Sequence, residues 1–179
     1  MRNNDFSKLL FEDTCTFYYD FPYVTDSTEI VNIAASDDEN VRIYSWDTQL
    51  GGTMVCWDNV IQYRSNGKIK SYDGSIWSVD ESQEENEIDF GCWTKAIYTF
   101  NRNDGQTIYV TESYFRESSS YGYSTLDAFN ISDGKLKMIE DAFVIPNDNF
   151  HLGIEYIIPS WYFLKDRKGW DWIFSLDRN

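Results

Sequence analysis

Residues 41–74, VRIYSWDTQLGGTMVCWDNVIQYRSNGKIKSYDG, consist of short apolar and aromatic runs interrupted by Gly51-Gly52, Asn66-Gly67 and Asp73-Gly74. Within the first run Val41 and Ile43 fall on one side of an extended chain, and Arg42, Tyr44 and Trp46 on the other. Asn-Gly and Asp-Gly supply the positive φ angles that tight hairpin turns require. The stretch therefore reads as strands joined by turns.

The same pattern continues in both directions. Runs rich in Val, Ile, Thr, Tyr, Phe and Trp predict strands over 15–21, 29–34, 41–46, 53–57, 60–64, 68–72, 94–101, 107–115, 124–131, 136–144, 155–161 and 170–176. In the run at 107–115, Ile108, Val110 and Tyr114 oppose Tyr109 and Phe115. Asn66-Gly67, Asp104-Gly105 and Asp133-Gly134 each fall between two such runs, and local sterics explain their likeness without an ancestral repeat. A helix is expected only near 5–11.

Composition agrees. The 179 residues include 13 Tyr, 12 Phe and 7 Trp, a balance that favours strands over helices. This length suits a single domain that buries most of its unfolded surface without disulfide or metal. The expected fold is all-β, an antiparallel meander forming a sandwich or barrel, with a partial or small propeller as the alternative. The acidic run DESQEENEID at 80–89 reads as an exposed loop within that domain, and ESSSYGY at 117–123 as a second loop.

Thirty acidic against fifteen basic side chains give a formal net charge of −15, which repels phosphate backbones and argues against nucleic acid as a partner. No apolar run approaches the length of a membrane-spanning helix, and the first residues lack the apolar core of a secretory signal.

Few motifs carry chemistry. Cys15, Cys56 and Cys92 are widely spaced with no Cys-x-x-Cys pair, so neither a zinc site nor a disulfide framework is indicated. His151 is the one histidine, set in Phe-His-Leu-Gly without a nucleophile elbow, which argues against a hydrolase triad. Phosphate loops, dinucleotide fingerprints and paired-His metal motifs are missing from the sequence. The acidic run has no calcium-loop spacing. No cofactor and no metal are expected. Trp-Asp recurs at Trp46, Trp57 and Trp170, but without the Gly-His of the propeller repeats that end in that dipeptide. Asn130-Ile131-Ser132 matches a glycosylation acceptor just before a hairpin glycine, where chance occurrence carries no weight.

Aromatic side chains are the better functional hint, since Trp and Tyr stack on the apolar faces of sugars or anchor protein interfaces with little entropy lost. In SWYFLKDRKGWDWIF at 160–174 the rings are too many for one alternating face. Either both sheet faces are covered or one is a binding platform. Rings near strand ends, Trp46, Tyr121, Tyr123 and Trp170, are the candidate ligand-binding residues, because loops at one rim of a β scaffold converge on a ligand. No catalytic residue is singled out. The leading functional reading is a non-catalytic binding or interaction domain for a glycan or a partner protein. Its rivals are a glycoside hydrolase acting through paired Asp or Glu, which leaves no local signature, and a structural module of a longer chain.

IYSWDTQLGGTM at 43–54, NVIQYR at 59–64, YFRESSSYGY at 114–123 and GWDWIF at 169–174 resemble a set of β-rich proteins of gut-type anaerobic bacteria without an assigned activity. The likeness spans most of 43–174. It implies a bacterial protein exported to the periplasm or cell surface, part of the cell envelope and in some cases a lipoprotein, with a chain that continues for a further hairpin or two. The chain taken as complete points instead to the cytoplasm. The resemblance implies no site residues.

Overall fold

The computed structural model describes residues 3–22, 31–51, 55–74, 92–116, 122–139, 142–144 and 151–152. They form a helix α1 (Asn3–Glu12), a short 3-10 helix η1 (Thr14–Tyr18) and the strands β1 (Val31–Ala35), β2 (Val41–Asp47), β3 (Trp57–Ser65), β4 (Lys68–Asp73), β5 (Trp93–Asn101), β6 (Thr107–Arg116), β7 (Gly122–Ser132), β8 (Lys135–Met138), β9 (Phe143–Val144) and β10 (His151–Leu152). β1 to β4 make one antiparallel four-stranded sheet and β5 to β8 a second, each in sequence order, and β9 pairs with β10. This is the expected all-β meander. Its two main sheets pack as in a sandwich and do not close into a barrel.

The hairpin turns follow local chemistry. Asn66 and Gly67 take φ of 51° and 72° between β3 and β4, and Asp133 and Gly134 take 55° and 77° between β7 and β8. Consecutive positive φ values give the turn whose twist matches the flanking strands. Gly105, at φ 84°, serves the longer β5–β6 connection, where its N–H donates to the Arg102 carbonyl at 3.0 Å.

Alternation builds the core on both sides of the first sheet. Ala34, Val41, Ile43, Ile61 and Tyr63 face Ile97, Tyr109, Phe129 and Leu136 of the second sheet. The opposite face, with Val31, Tyr44, Trp46 and Val60, is covered by Phe6 and Leu10 of α1 and by Phe21. The outer side of the second sheet buries Ile108, Val110 and Ala128 beside Phe100, Leu126, Ile139 and Ala142. Toward one end the inter-sheet layer turns polar. Ser45 donates to Asn59 at 2.6 Å, the Thr94 backbone N–H donates to Ser45 at 3.2 Å, and Thr125 donates to buried Asp127 at 3.3 Å. Asn32 also donates to the Thr94 carbonyl, which ties β1 to β5.

Several expected elements change. The strand expected at 15–21 is instead η1 and an irregular segment. The Asp13 side chain accepts from the Cys15 N–H at 2.8 Å, and Thr16 and Tyr19 N–H groups bond back to carbonyls three residues earlier. Such local bonds outcompete a ladder. The break expected between 57 and 60 is missing, because Asp58 and Asn59 pair with Trp46 and Ser45 in register and Asn59 finds a buried partner within the sheet. The single strand expected at 136–144 is divided between β8 and β9. Tyr123, placed by sequence in a loop, lies on β7 opposite Phe115. Residues 80–89, 155–161 and 170–176 lie outside the described residues.

Candidate ligand-binding cleft

The outer face of the first sheet carries a buried polar knot beneath η1. Gln62 projects from β3 on the same side as Val60 and is fully buried. Its amide N–H groups reach the Leu10 carbonyl at 2.6 Å and Thr16 Oγ1 at 2.8 Å. Ser71 also donates to the Leu10 carbonyl, at 2.8 Å. The Tyr44 hydroxyl donates to the Thr16 carbonyl at 2.9 Å and lies 3.0 Å from Gln62 Oε1. Burial pushes the Tyr44 phenol pKa up to about 12, against the smaller opposing effect of Arg42. The carbonyl at the end of α1 and the start of η1 are thereby pinned to the sheet.

Arg42 holds the other end of η1. Its guanidinium donates to the Phe17 carbonyl at 2.8 Å and the Tyr19 carbonyl at 3.1 Å, and pairs with the Asp20 carboxylate. The side chain is only 13% exposed while that of Asp20 is 83% exposed. Beside this clamp lies a cavity of about 280 Å³ lined by Phe17, Tyr18, Asp20, Glu39, Arg42 and Arg64. The Arg64 guanidinium sits 5.8 Å from the Phe17 ring centre and 6.0 Å from that of Tyr18. The two rings meet edge to face at 5.2 Å. Tyr18 is 67% exposed and Tyr19 52%, the most open aromatic rings among the described residues.

An exposed ring, forked cationic donors and open carboxylate acceptors around one cavity can hold a polyhydroxylated ligand, the ring taking its apolar face and the charged groups its hydroxyls. Proton-transfer chemistry is less well served. Asp20 is open and ion-paired and Glu39 is exposed, so neither is the buried, unpaired carboxyl that a glycosidic general acid requires. Elsewhere Asp38 and Asp133 are both shifted below the ordinary carboxyl value. For Asp38, burial pushes up and is overcome by hydrogen bonds from Ser36, Asn40 and Tyr109. Lys137 is the main cause at Asp133. Cys15, exposed at the start of η1, has its thiol pKa raised by its hydrogen bond with Asp13, which lowers its thiolate content.

Of the four rings expected to form a site, Trp46 is the one whose side chain is among the described residues. Trp46 is 4% exposed and packs edge-on to Phe6 at 5.6 Å beneath α1, so it is a core side chain and not a presented one. Tyr123 is described in its backbone only, and Tyr121 and Trp170 lie outside the described residues. Sequence reasoning missed Tyr18, Arg42 and Arg64. Arg42 was placed on the face of Tyr44 and Trp46, but the signal that marks a site, two arginines on neighbouring strands aimed at one turn, needs the register. Among the described residues there is no cluster of His, Cys, Asp and Glu able to hold a metal, and no helix long and apolar enough to cross a membrane.

No protein-family model matches the chain, and neither a curated protein nor a solved structure matches it.

Proposed function

We propose that this protein is a non-catalytic binding domain whose ligand is a saccharide held in the cleft between η1 and the outer face of the first sheet. The observation that carries the reading is the Tyr18 ring, 67% exposed at the mouth of a cavity of about 280 Å³ and backed by Arg64. A ring left in water at a cavity edge gains apolar contact when the C–H face of a sugar covers it, and a tyrosine loses little conformational entropy in doing so. Glu39 and Asp20 offer acceptors for sugar hydroxyls at the same rim. The volume accommodates one or two sugar rings.

The test is calorimetric titration of the purified protein against a broad panel of soluble oligosaccharides, with Tyr18→Ala alongside. Saturable binding that Tyr18→Ala weakens about tenfold or more, without a drop in thermal stability, supports the reading. Binding unchanged by Tyr18→Ala places the ligand elsewhere, and silence across the panel turns the exposed rings toward a protein partner.

A further inference from the structure

We infer that the ligand of this cleft is an acidic saccharide bearing a single carboxylate, of the uronic-acid type, and that Arg64 is the residue that takes the carboxylate; this rests on the saccharide reading above. Arg42 and Arg64 point from adjacent strands to the same side of the first sheet. Arg42 pairs with Gln62 in the ladder, and the Arg64 N–H donates to the Asn40 carbonyl at 2.8 Å, so the arginines are diagonal neighbours. Like charges in that relation repel. Arg42 is neutralised by Asp20, and its Nη1 donors go to the Phe17 and Tyr19 carbonyls. Arg64 makes no ion pair among the described residues, although the chain carries thirty acidic side chains.

Its position follows from the rings beneath it. The Arg64 guanidinium lies at cation–π distance from both the Phe17 and Tyr18 rings, whose planes stand 84° apart, and its N–H donors share one plane. A carboxylate in that plane accepts two parallel hydrogen bonds, the geometry arginine favours over any neutral acceptor. Glu39 and Asp20, on the cavity wall, then accept from hydroxyls of the same sugar. The net charge of −15 limits the class further. Polyanions meet repulsion along the whole surface, while an oligosaccharide with one carboxylate presents its charge only within the screening length of about 8 Å around Arg64.

The experiment is titration of the full chain with oligosaccharides of two to four units ending in glucuronic, galacturonic or mannuronic acid, each paired with its carboxyl-reduced counterpart, and repeated with Arg64→Gln and Arg64→Lys. The expected result is that one acidic sugar binds about tenfold or more tightly than its reduced partner. Arg64→Gln should abolish that preference at unchanged thermal stability, and Arg64→Lys should restore only part of it. Equal affinity for acid and reduced sugar overturns the inference while leaving the saccharide reading intact. A preference that survives Arg64→Gln overturns it as well. If neither member of any pair binds but neutral oligosaccharides do, the acidic class is excluded; if no saccharide binds at all, both readings fall.

Discussion

The hydroxyl of Tyr109 on β6 donates a 2.8 Å hydrogen bond to the Asp38 carboxylate in the turn between β1 and β2, and so joins the two sheets at the rim of their shared core. The Tyr109 ring stacks on Phe129 at 5.5 Å, so the ring belongs to the apolar layer while its hydroxyl reaches the edge. Asp38 also accepts from Ser36 at 2.6 Å and from the Asn40 N–H at 3.1 Å, which organises the turn.

This contact gives the fold an acid limit. Asp38 has its folded pKa lowered below 3.8, the balance of burial pushing up and stronger hydrogen bonds from Ser36, Asn40 and Tyr109 pulling down. Its contribution to stability is therefore present above pH 3.8 and is lost as pH falls through the lower folded value. Tyr109→Phe keeps the ring and removes the donor, and should cost about 1–2 kcal/mol at pH 7. Urea unfolding at pH 7 and pH 2 checks this, the penalty shrinking at the lower pH.

An alkaline limit comes from Tyr44. Burial raises its phenol pKa from 10 to about 12. A raised pKa means that the stabilisation is complete below pH 10 and disappears as pH rises through about 12. Tyrosinate absorbance and circular dichroism followed together across that range should show late phenol ionisation coinciding with unfolding, with Tyr109, raised by burial and by Asp38, contributing beside Tyr44. In Tyr44→Phe the late ionisation should shrink by one phenol while that of Tyr109 remains.

Gln62→Leu should destabilise the protein by about 2–3 kcal/mol, because the apolar replacement leaves the Leu10 carbonyl and the Tyr44 hydroxyl with fewer partners in a buried setting. Chemical denaturation measures the loss. The same variant should weaken ligand binding, since η1 and its Tyr18 ring rest on this knot.

Trp46→Ala should lower stability by about 3–5 kcal/mol, the range for emptying a large buried side chain, and should do so with or without ligand present. A thermal melt decides it. Little change in stability would contradict the packing of Trp46 under α1.

The hairpin glycines should differ in their tolerance of alanine. At Gly105, φ 84°, a Cβ meets nothing within 4 Å, so Gly105→Ala should cost about 1–2 kcal/mol from backbone strain alone. At Gly134, φ 77°, a Cβ would lie 2.9 Å from Lys70 Nζ and 3.1 Å from Ser65 Oγ, and would disturb the 2.7 Å bond from Lys70 to the Gly134 carbonyl. Gly134→Ala should therefore be the more harmful of the two by denaturant midpoint.

What the sequence determined by itself is the strand class, most of the strands among the described residues and the hairpins. Asn66-Gly67 and Asp133-Gly134 turn where they do because positive φ is a local steric matter, and Val41, Ile43, Tyr44 and Trp46 divide between two faces because a strand alternates whatever lies beyond it. Alternation does not say what covers a face. That α1 lies over Tyr44 and Trp46, making Trp46 core instead of rim, was decided by Phe6 and Leu10 packing across more than thirty residues of chain. The cleft is tertiary in the same sense. The aromatic run at 15–21 has the composition of a strand, and it bends into η1 because Asp13 caps it locally and Arg42, Tyr44 and Gln62 hold its carbonyls and hydroxyl from a distance. Arg64 reaches the rings of Phe17 and Tyr18 only once β2 and β3 are in register, and hydrogen bonds between residues so far apart in the chain depend on three-dimensional closure that no local pattern encodes.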